Sequence, residues 1–243
     1  MFRTIWFYFW FVLGVFVCGV AVALAGWLKW DRGVRWISRM WGLGGILPSG
    51  AHVEADLSAL PQGRDFVILA NHQSYLDIYL LFSLLSGPYR IAFVAKDSLF
   101  RIPVLGLGMK YSGHIAIDRG NQRKAMKSID KAVERSRQGA TVVIFPEGTR
   151  ATDPEQLGEF QIGGMILALK CGLPVVPIVH HGTYAIFPKN RSTIGPPPRT
   201  IRVKALPLVE TQGKYTLKDR EQFRKDLYTT MNNAYLELRH ESQ

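Results

Sequence analysis

The chain has 243 residues, 47% of them hydrophobic and 12% aromatic, and carries a formal net charge of +11. This excludes a disordered protein and leaves room for one α/β domain with a full core plus an appended segment. The positive balance points to an anionic partner, whether nucleic acid, anionic lipid or a phosphorylated substrate. Two cysteines, Cys18 and Cys171, give neither a disulfide framework nor a cysteine metal site and fit a reducing compartment.

No charge interrupts residues 4–28. As a helix at ~1.5 Å per residue the run covers roughly 37 Å, against ~30 Å of hydrocarbon. It is longer than the apolar core of a signal peptide, is aromatic from its start, and leads to no small-residue cleavage site. The expectation is a retained membrane helix rather than a buried core helix. Lys29, Arg32, Arg35 and Arg39 follow it, whereas Arg3 and the chain start precede it. The positive-inside bias therefore places the C-terminal bulk in the cytoplasm. Trp30, Val34, Ile37 and Trp41 recur at helical spacing, which predicts an amphipathic helix at the headgroup level. A spanning helix and a two-helix hairpin dipping into one leaflet both satisfy the pattern. Either gives the basic charge a membrane surface to serve and makes nucleic acid a minor alternative. The expected boundary lies between an anchoring segment, 1–47, and a domain over 48–243.

From residue 65 onward apolar runs alternate with amphipathic stretches. FVILA (66–70) reads as a strand buried on both faces, and 74–85 as a helix. IAFVA (91–95) is the next strand. Residues 97–110, with Pro103, Gly106 and Gly108, read as a broken helix or ordered loop. HIAI (114–117) is a short strand. The following helix puts Ala125, Ile129, Ala132 and Val133 on one face and stops at Gly139. TVVIF (141–145) is another buried strand, and 159–171 a helix ended by Gly172. VVPIV (175–179) is a strand whose Pro177 suits a sheet edge or end. GPPP (195–198) marks a loop, and TIRVKALPL (200–208) alternates like an edge strand. A C-terminal helix carries Phe223, Leu227, Met231 and Ala234, with Thr216 and Asp219 as a capping box. The alternation predicts an α/β fold with a mostly parallel central sheet flanked by helices, behind an N-terminal helical anchor.

Three constellations carry chemistry. In LANHQSYLD (69–77) a strand ends and His72 falls in the turn beyond it, where ligands of open α/β sheets gather. One reading is structural: Ser74 and Asp77 form a capping box and His72 is a turn residue. The other has Asp77 orient the imidazole so that His72 takes a proton from a hydroxyl. Both hold together, since a capping carboxylate has a second oxygen. In VVIFPEGTR (142–150) a buried strand runs into Glu147, Gly148, Thr149 and Arg150. Glycine allows close backbone approach or positive φ, and arginine offers a planar fork for phosphate. Glu147 is placed to accept a hydrogen bond or hold Arg150. An ordinary turn with a surface ion pair is the plainer alternative. Third, Lys96 and Arg119 each follow a strand. They are either solvated surface charges or, with Arg150, a positive pocket at one sheet edge. Residues 99–109 either pack in the core or line a route for an alkyl chain. His52, His114, His180 and His181 lack metal-ligand spacing, and no Gly-x-Ser-x-Gly elbow occurs.

NHQSYLD resembles the His-x4-Asp block of the glycerolipid (lysophospholipid) acyltransferases, and FPEGTR their third block. Lys96 to Arg119, with Pro-x-x-Gly inside and Asp-Arg at its close, resembles the second. LPVVPIV resembles the fourth, and the four stand in family order. The chain length suits a bacterial member. The resemblance implies His72 as general base with Asp77 as its partner. It implies an acceptor site at Glu147, Gly148, Thr149 and Arg150, with Arg150 and Lys96 at a phosphate and Arg119 beside them. Val176, Pro177 and Ile178 would shape the acyl region. It implies transfer of a fatty acyl group from acyl-CoA or acyl carrier protein, as co-substrate, to the sn-2 hydroxyl of 1-acyl-sn-glycerol-3-phosphate (lysophosphatidate), giving phosphatidic acid. No other cofactor, no metal and no nucleic acid are expected. The implied setting is a phospholipid membrane, the bacterial inner membrane, with the catalytic domain over 48–243 on its cytoplasmic side. The remaining alternatives are an acyltransferase for another lysolipid, glycerol-3-phosphate or an amino lipid, a thioesterase, and a non-catalytic lipid-binding protein. Two positions depart from the family pattern. Ser98 stands where members often have Glu, and Phe160–Gly163 reads Phe-Gln-Ile-Gly where they often have Phe-Lys-x-Gly, which removes a positive charge near the site.

Overall fold

A computed structural model describes residues 2–118, 120, 122–195 and 199–241, without the side chains of residues 122 and 199. The chain is α/β. Among the described residues its strands are β1 (Ala51–Asp56), β2 (Val67–Ala70), β3 (Ile91–Lys96), β4 (Ile115–Ile117), β5 (Thr141–Ile144), β6 (Val175–His181) and β7 (Arg199–Ala205). Its helices are α1 (Phe2–Trp27), α2 (Asp31–Ile46), α3 (Leu76–Leu85), α4 (Leu105–Ser112), α5 (Gln122–Arg137), α6 (Ile162–Cys171), α7 (Thr183–Ile186) and α8 (Arg220–His240). Two compact units are formed, Met1–Ser49 with Leu76–Val142, and Gly50–Tyr75 with Val143–Gln243.

In the second unit the strand order is β1-β7-β6-β2-β5. All neighbours are parallel except β6 and β7. The two apolar runs read as doubly buried strands are so: every residue of β2 and β5 is buried. Helices α6 and α8 pack on this sheet, α8 burying Phe223, Leu227, Met231, Ala234, Tyr235 and Leu238. The Thr216–Asp219 capping box forms ahead of α8, and Gly172 ends α6 in the left-handed region.

The sheet corrects two expectations. β7 is not an edge strand, for it lies between β1 and β6, and the polar strand β1 occupies the edge. Pro177 is likewise inside the sheet, paired to Leu69 of β2. It is tolerated because on its β7 side its carbonyl accepts the Leu206 N–H at 2.8 Å while the chain opposite bulges. Ile178 stands opposite Ala205 but Val175 opposite Val209, so Leu206, Pro207 and Leu208 face only Val176 and Pro177. The proline ring meets a bulge, where no N–H is required of it. Helix starts also shift inward, α3 to Leu76 and α6 to Ile162.

In the first unit β3 and β4 pair in parallel, and Thr141, opening β5, donates to the carbonyl of Arg90 at 2.8 Å. Helix α1 packs against α2 and α4, and α2 against α3. Gly45 allows the last contact: a Cβ there would lie 2.0 Å from the Tyr79 ring. Tyr79 is further enclosed by Trp41 and Phe7, with ring centroids 4.9 and 5.8 Å away. The expected α2 helix is present, but Val34 and Trp41 turn inward, leaving Trp36 and Met40 among its exposed apolar residues. Helix α1 is long and apolar enough to cross a membrane, and only Phe7, Gly14 and Ala25 of its residues are buried.

Candidate active site

The end of β2 delivers Asn71–Tyr75 into a loop in which almost every residue is held by a different element of the second unit. The Asn71 side chain pairs reciprocally with the main chain of His180 in β6, donating to its carbonyl at 2.9 Å and accepting from its N–H at 2.8 Å. Gln73 donates to the Tyr235 hydroxyl of α8 at 2.7 Å, and Tyr235 donates to the Pro154 carbonyl at 2.5 Å. Burial pushes the Tyr235 phenol up to about 12, so it stays protonated and keeps donating. The Ser74 hydroxyl donates to the Phe187 carbonyl at 2.6 Å. Asn71, Gln73 and Ser74 are buried by these contacts, while His72 stays half-exposed.

His72 is gripped by the loop that leaves β5. Its N–H donates to Glu147 Oε1 at 2.7 Å, and its carbonyl accepts from the Ala151 N–H at 2.7 Å. Its ring stacks on Phe145 with centroids 4.1 Å apart and planes 16° from parallel. The main chain is thus fixed on both sides while the residue stays half-exposed. Glu147 is itself buried, and its other oxygen accepts the Gly158 N–H at 3.1 Å. Gly148 turns the loop with φ of +70°, and a Cβ there would meet Gln161 Cγ at 3.2 Å. Past this turn Thr149 is exposed, and the Arg150 guanidinium carbon lies 3.6 Å from the centroid of the Tyr75 ring. Arg150 Nη1 is buried and has no hydrogen-bond partner among the described residues. A planar cation held against a ring suits an incoming anion. A cavity of about 600 Å³ opens beside it, lined in part by Gln161, Arg224, Lys225 and Tyr228.

Of the other residues singled out in the sequence, Val176, Pro177 and Ile178 are buried in β6 of the second unit, and the rest belong to the first unit or lie outside the described residues. Asp77, in the first turn of α3, is completely buried. Lys96 ends β3 and is exposed. Arg119 lies outside the described residues. Of the stretch 99–109, Leu105, Gly108 and Met109 line a small apolar cavity with Gly14, Cys18 and Val22 of α1. Val104 and Leu107 line a more open apolar groove of about 260 Å³ along the same helix. Among the described residues no cluster of three or more His, Cys, Asp or Glu is arranged to hold a metal ion.

A protein-family model described as Acyltransferase matches residues 52–181, more than half of the chain and the whole of the His72 and Glu147–Arg150 loops. The chain belongs to the acyltransferase family. A 1-acyl-sn-glycerol-3-phosphate acyltransferase of Chlamydomonas reinhardtii is 41% identical over 149 residues, 60% of this chain and 44% of that protein. One of Pseudomonas aeruginosa is 34% identical over 190 residues, 76% of this chain and 67% of that protein. The chain thus spans less than half the length of its algal relative and of the chloroplast relatives from Brassica napus and Arabidopsis thaliana. The crystal structure of the 1-acyl-sn-glycerophosphate (LPA) acyltransferase PlsC from Thermotoga maritima matches with a TM-score of 0.83 at 27% identity, covering 98% of this chain and 95% of that one.

For this member of the acyltransferase family, four residues that hold the loop were not singled out in the sequence as site residues: Phe145, Ala151, Tyr235 and Phe187. Phe145 alone left a signal, an aromatic closing an apolar strand directly ahead of Pro146 and Glu147. Ala151 and Phe187 hold His72 and Ser74 through main-chain atoms, which carry no residue-type signature. Tyr235 stood in a helical pattern already accounted for by burial.

Proposed function

We propose that the chain is a membrane-bound acyltransferase that moves a fatty acyl group from an acyl thioester to the sn-2 hydroxyl of 1-acyl-sn-glycerol-3-phosphate, giving phosphatidic acid. The observation that carries this reading is the locked loop of residues 71–74, in which the neighbours of His72 are buried while His72 itself is half-exposed. A fold that fixes both main-chain groups of a histidine and leaves the residue half-exposed fits a proton acceptor held in place before substrate arrives.

In the mechanism His72 takes the sn-2 hydroxyl proton as that oxygen attacks the thioester carbonyl. The O–C bond forms and a tetrahedral intermediate collapses with cleavage of the C–S bond. The imidazolium returns the proton to the departing thiolate of acyl-CoA or acyl carrier protein. Asp77 is the partner that favours the imidazolium, a role supported by the His-x4-Asp spacing and by its burial in the first turn of α3. The acceptor phosphate is assigned to Arg150, with Lys96 and Arg119 as further cations and Glu147, Gly148 and Thr149 shaping the loop. The apolar groove along α1 is the route for an acyl chain. Residues 1–47 form the membrane anchor and 48–243 the catalytic domain, facing the cytoplasm at the bacterial inner membrane.

The test is a panel of acceptors offered with radiolabelled acyl-CoA and acyl carrier protein thioesters to the purified full chain in lipid vesicles. Labelled phosphatidic acid from lysophosphatidate is the expected product. Labelled free fatty acid alone would make it a thioesterase, another acylated acceptor a different acyltransferase, and no transfer a lipid-binding protein.

A further inference from the structure

We propose that Lys189 is a second cation of the acceptor-phosphate site and selects phosphorylated lysolipids over uncharged ones. This rests on the reaction proposed above. Lys189 lies beyond the matched family segment, which ends at residue 181, and no sequence motif singles it out. The fold nevertheless carries it to the Arg150 loop. Its Nζ donates to Thr149 Oγ1 at 3.1 Å, next to Arg150 in the chain.

Two ties make this placement specific. The Phe187 carbonyl, two residues before Lys189, accepts the Ser74 hydroxyl at 2.6 Å. Tyr184 donates its hydroxyl to the Thr152 carbonyl at 2.9 Å. The segment bearing Lys189 is therefore fastened both to the loop that carries His72 and to the loop that carries Arg150. A flexible lysine held only by a threonine hydroxyl keeps two further donors for a ligand.

Charge bookkeeping points the same way. Arg64, Arg90, Arg101, Lys124, Arg202, Lys204, Arg224 and Arg239 each lie within ion-pair distance of a carboxylate. Among the described residues Arg150 and Lys189 have no such partner, although both are half-buried. Two adjacent uncompensated cations repel each other, and a phosphate monoester dianion relieves that repulsion while accepting charge-assisted hydrogen bonds from both. Arginine supplies a planar fork and lysine a mobile point charge, a combination suited to the three oxygens of a terminal phosphate.

The test measures binding without any acyl donor, so that it stands apart from turnover. The full chain in detergent micelles is titrated with lysophosphatidate, with a monoacylglycerol of the same chain length and with inorganic phosphate, for the native sequence, Lys189→Met and Lys189→Arg. Lys189→Met is expected to weaken lysophosphatidate binding about tenfold and Lys189→Arg by less than about threefold, with monoacylglycerol binding unchanged. Inorganic phosphate is expected to compete with lysophosphatidate for the native chain and less for Lys189→Met. A melting temperature unchanged in Lys189→Met shows that the loop is intact. Lysophosphatidate binding unaltered by Lys189→Met, or weakened equally with monoacylglycerol, overturns the role of Lys189. A native chain that binds lysophosphatidate in this way but transfers no acyl group to it leaves Lys189 standing and removes the proposed reaction.

Discussion

The main-chain N–H of His72 donates to the Glu147 carboxylate at 2.7 Å, joining a residue that follows β2 to one that follows β5. These strands are neighbours in the sheet, with Leu69 opposite Ile144. The bond therefore spans two adjacent strand ends, and the second oxygen of Glu147 extends the tie to Gly158. A buried carboxylate that accepts two main-chain donors acts as a brace for the loops around it.

Replacing Glu147 by Gln tests the brace. A glutamine keeps one accepting oxygen but turns its amide group toward the second N–H, leaving a buried donor unmatched. That costs about 1–3 kcal/mol. Glu147→Gln is expected to lower the unfolding free energy by this amount and to reduce kcat about tenfold or more, because the His72 main chain loses its fixed position. Chemical denaturation and steady-state kinetics on the same preparation check both. Full stability with full turnover would show that the brace is dispensable.

His72→Ala separates the side chain from its scaffold. The loop is held by the His72 N–H and C=O, by Asn71, by Gln73 and by Ser74, none of which needs the imidazole. The stack on Phe145 is lost. That loss is expected to cost no more than about 1.5 kcal/mol, the worth of a stacked pair. Acyl transfer is expected to fall about 10²–10⁴-fold, the range of a lost general base. Near-normal transfer by the folded variant would remove His72 from the mechanism.

The parts of this architecture that local patterning encodes were legible in the sequence. Val67–Ala70 and Thr141–Ile144 read as strands because a segment buried on both faces must be apolar throughout. The capping box at Thr216 and Asp219 read correctly because its partners lie three residues apart. The edge strand β1 did not stand out, since His52 and Glu54 of an edge need satisfy only one neighbour and keep their polar side chains in water. The braces of the site were hidden for a different reason. Asn71 reaches His180 over 109 residues and Gln73 reaches Tyr235 over 162, and no periodicity records such pairs. The residues of the 147–150 loop were identifiable by type, but that Glu147 faces the His72 main chain follows only from the adjacency of β2 and β5.

Stability is expected to depend on pH through His114. Burial lowers its pKa from 6.5 to about 4, and its Nδ1 accepts the Phe93 N–H at 3.0 Å, a bond that requires the neutral ring. The unfolded chain therefore binds a proton at this site between about pH 6.5 and 4 that the folded chain does not. The stabilisation is fully present above the unfolded pKa, is lost progressively as pH falls through this window, and changes no further below about 4. Thermal melts of the native chain and of His114→Asn from pH 7.5 to 4.5 check this. The native melting temperature should decline through the window, and the variant, less stable at neutral pH, should decline less steeply. Parallel slopes would assign the acid sensitivity to other groups.

The stacking of Arg150 on Tyr75 predicts that charge alone does not suffice at this position. The guanidinium carbon lies 3.6 Å from the ring centroid, within the range where a cation over an aromatic face contributes about 0.5–2 kcal/mol. Lysine at position 150 keeps the charge but loses both the flat contact and the two-pronged geometry. Arg150→Lys is expected to raise KM for lysophosphatidate about tenfold with kcat changed less than about threefold, since the phosphate is held alike before and during the reaction. Tyr75→Leu removes the platform and leaves the fork, so its KM should rise by about two- to fivefold. If the ring acts through the guanidinium, the second change adds little once the first is made. Kinetics of both single variants and of the double variant decide the matter. Effects that simply multiply would mean that Tyr75 and Arg150 meet the acceptor independently, and an unchanged KM in Arg150→Lys would leave the phosphate to other cations.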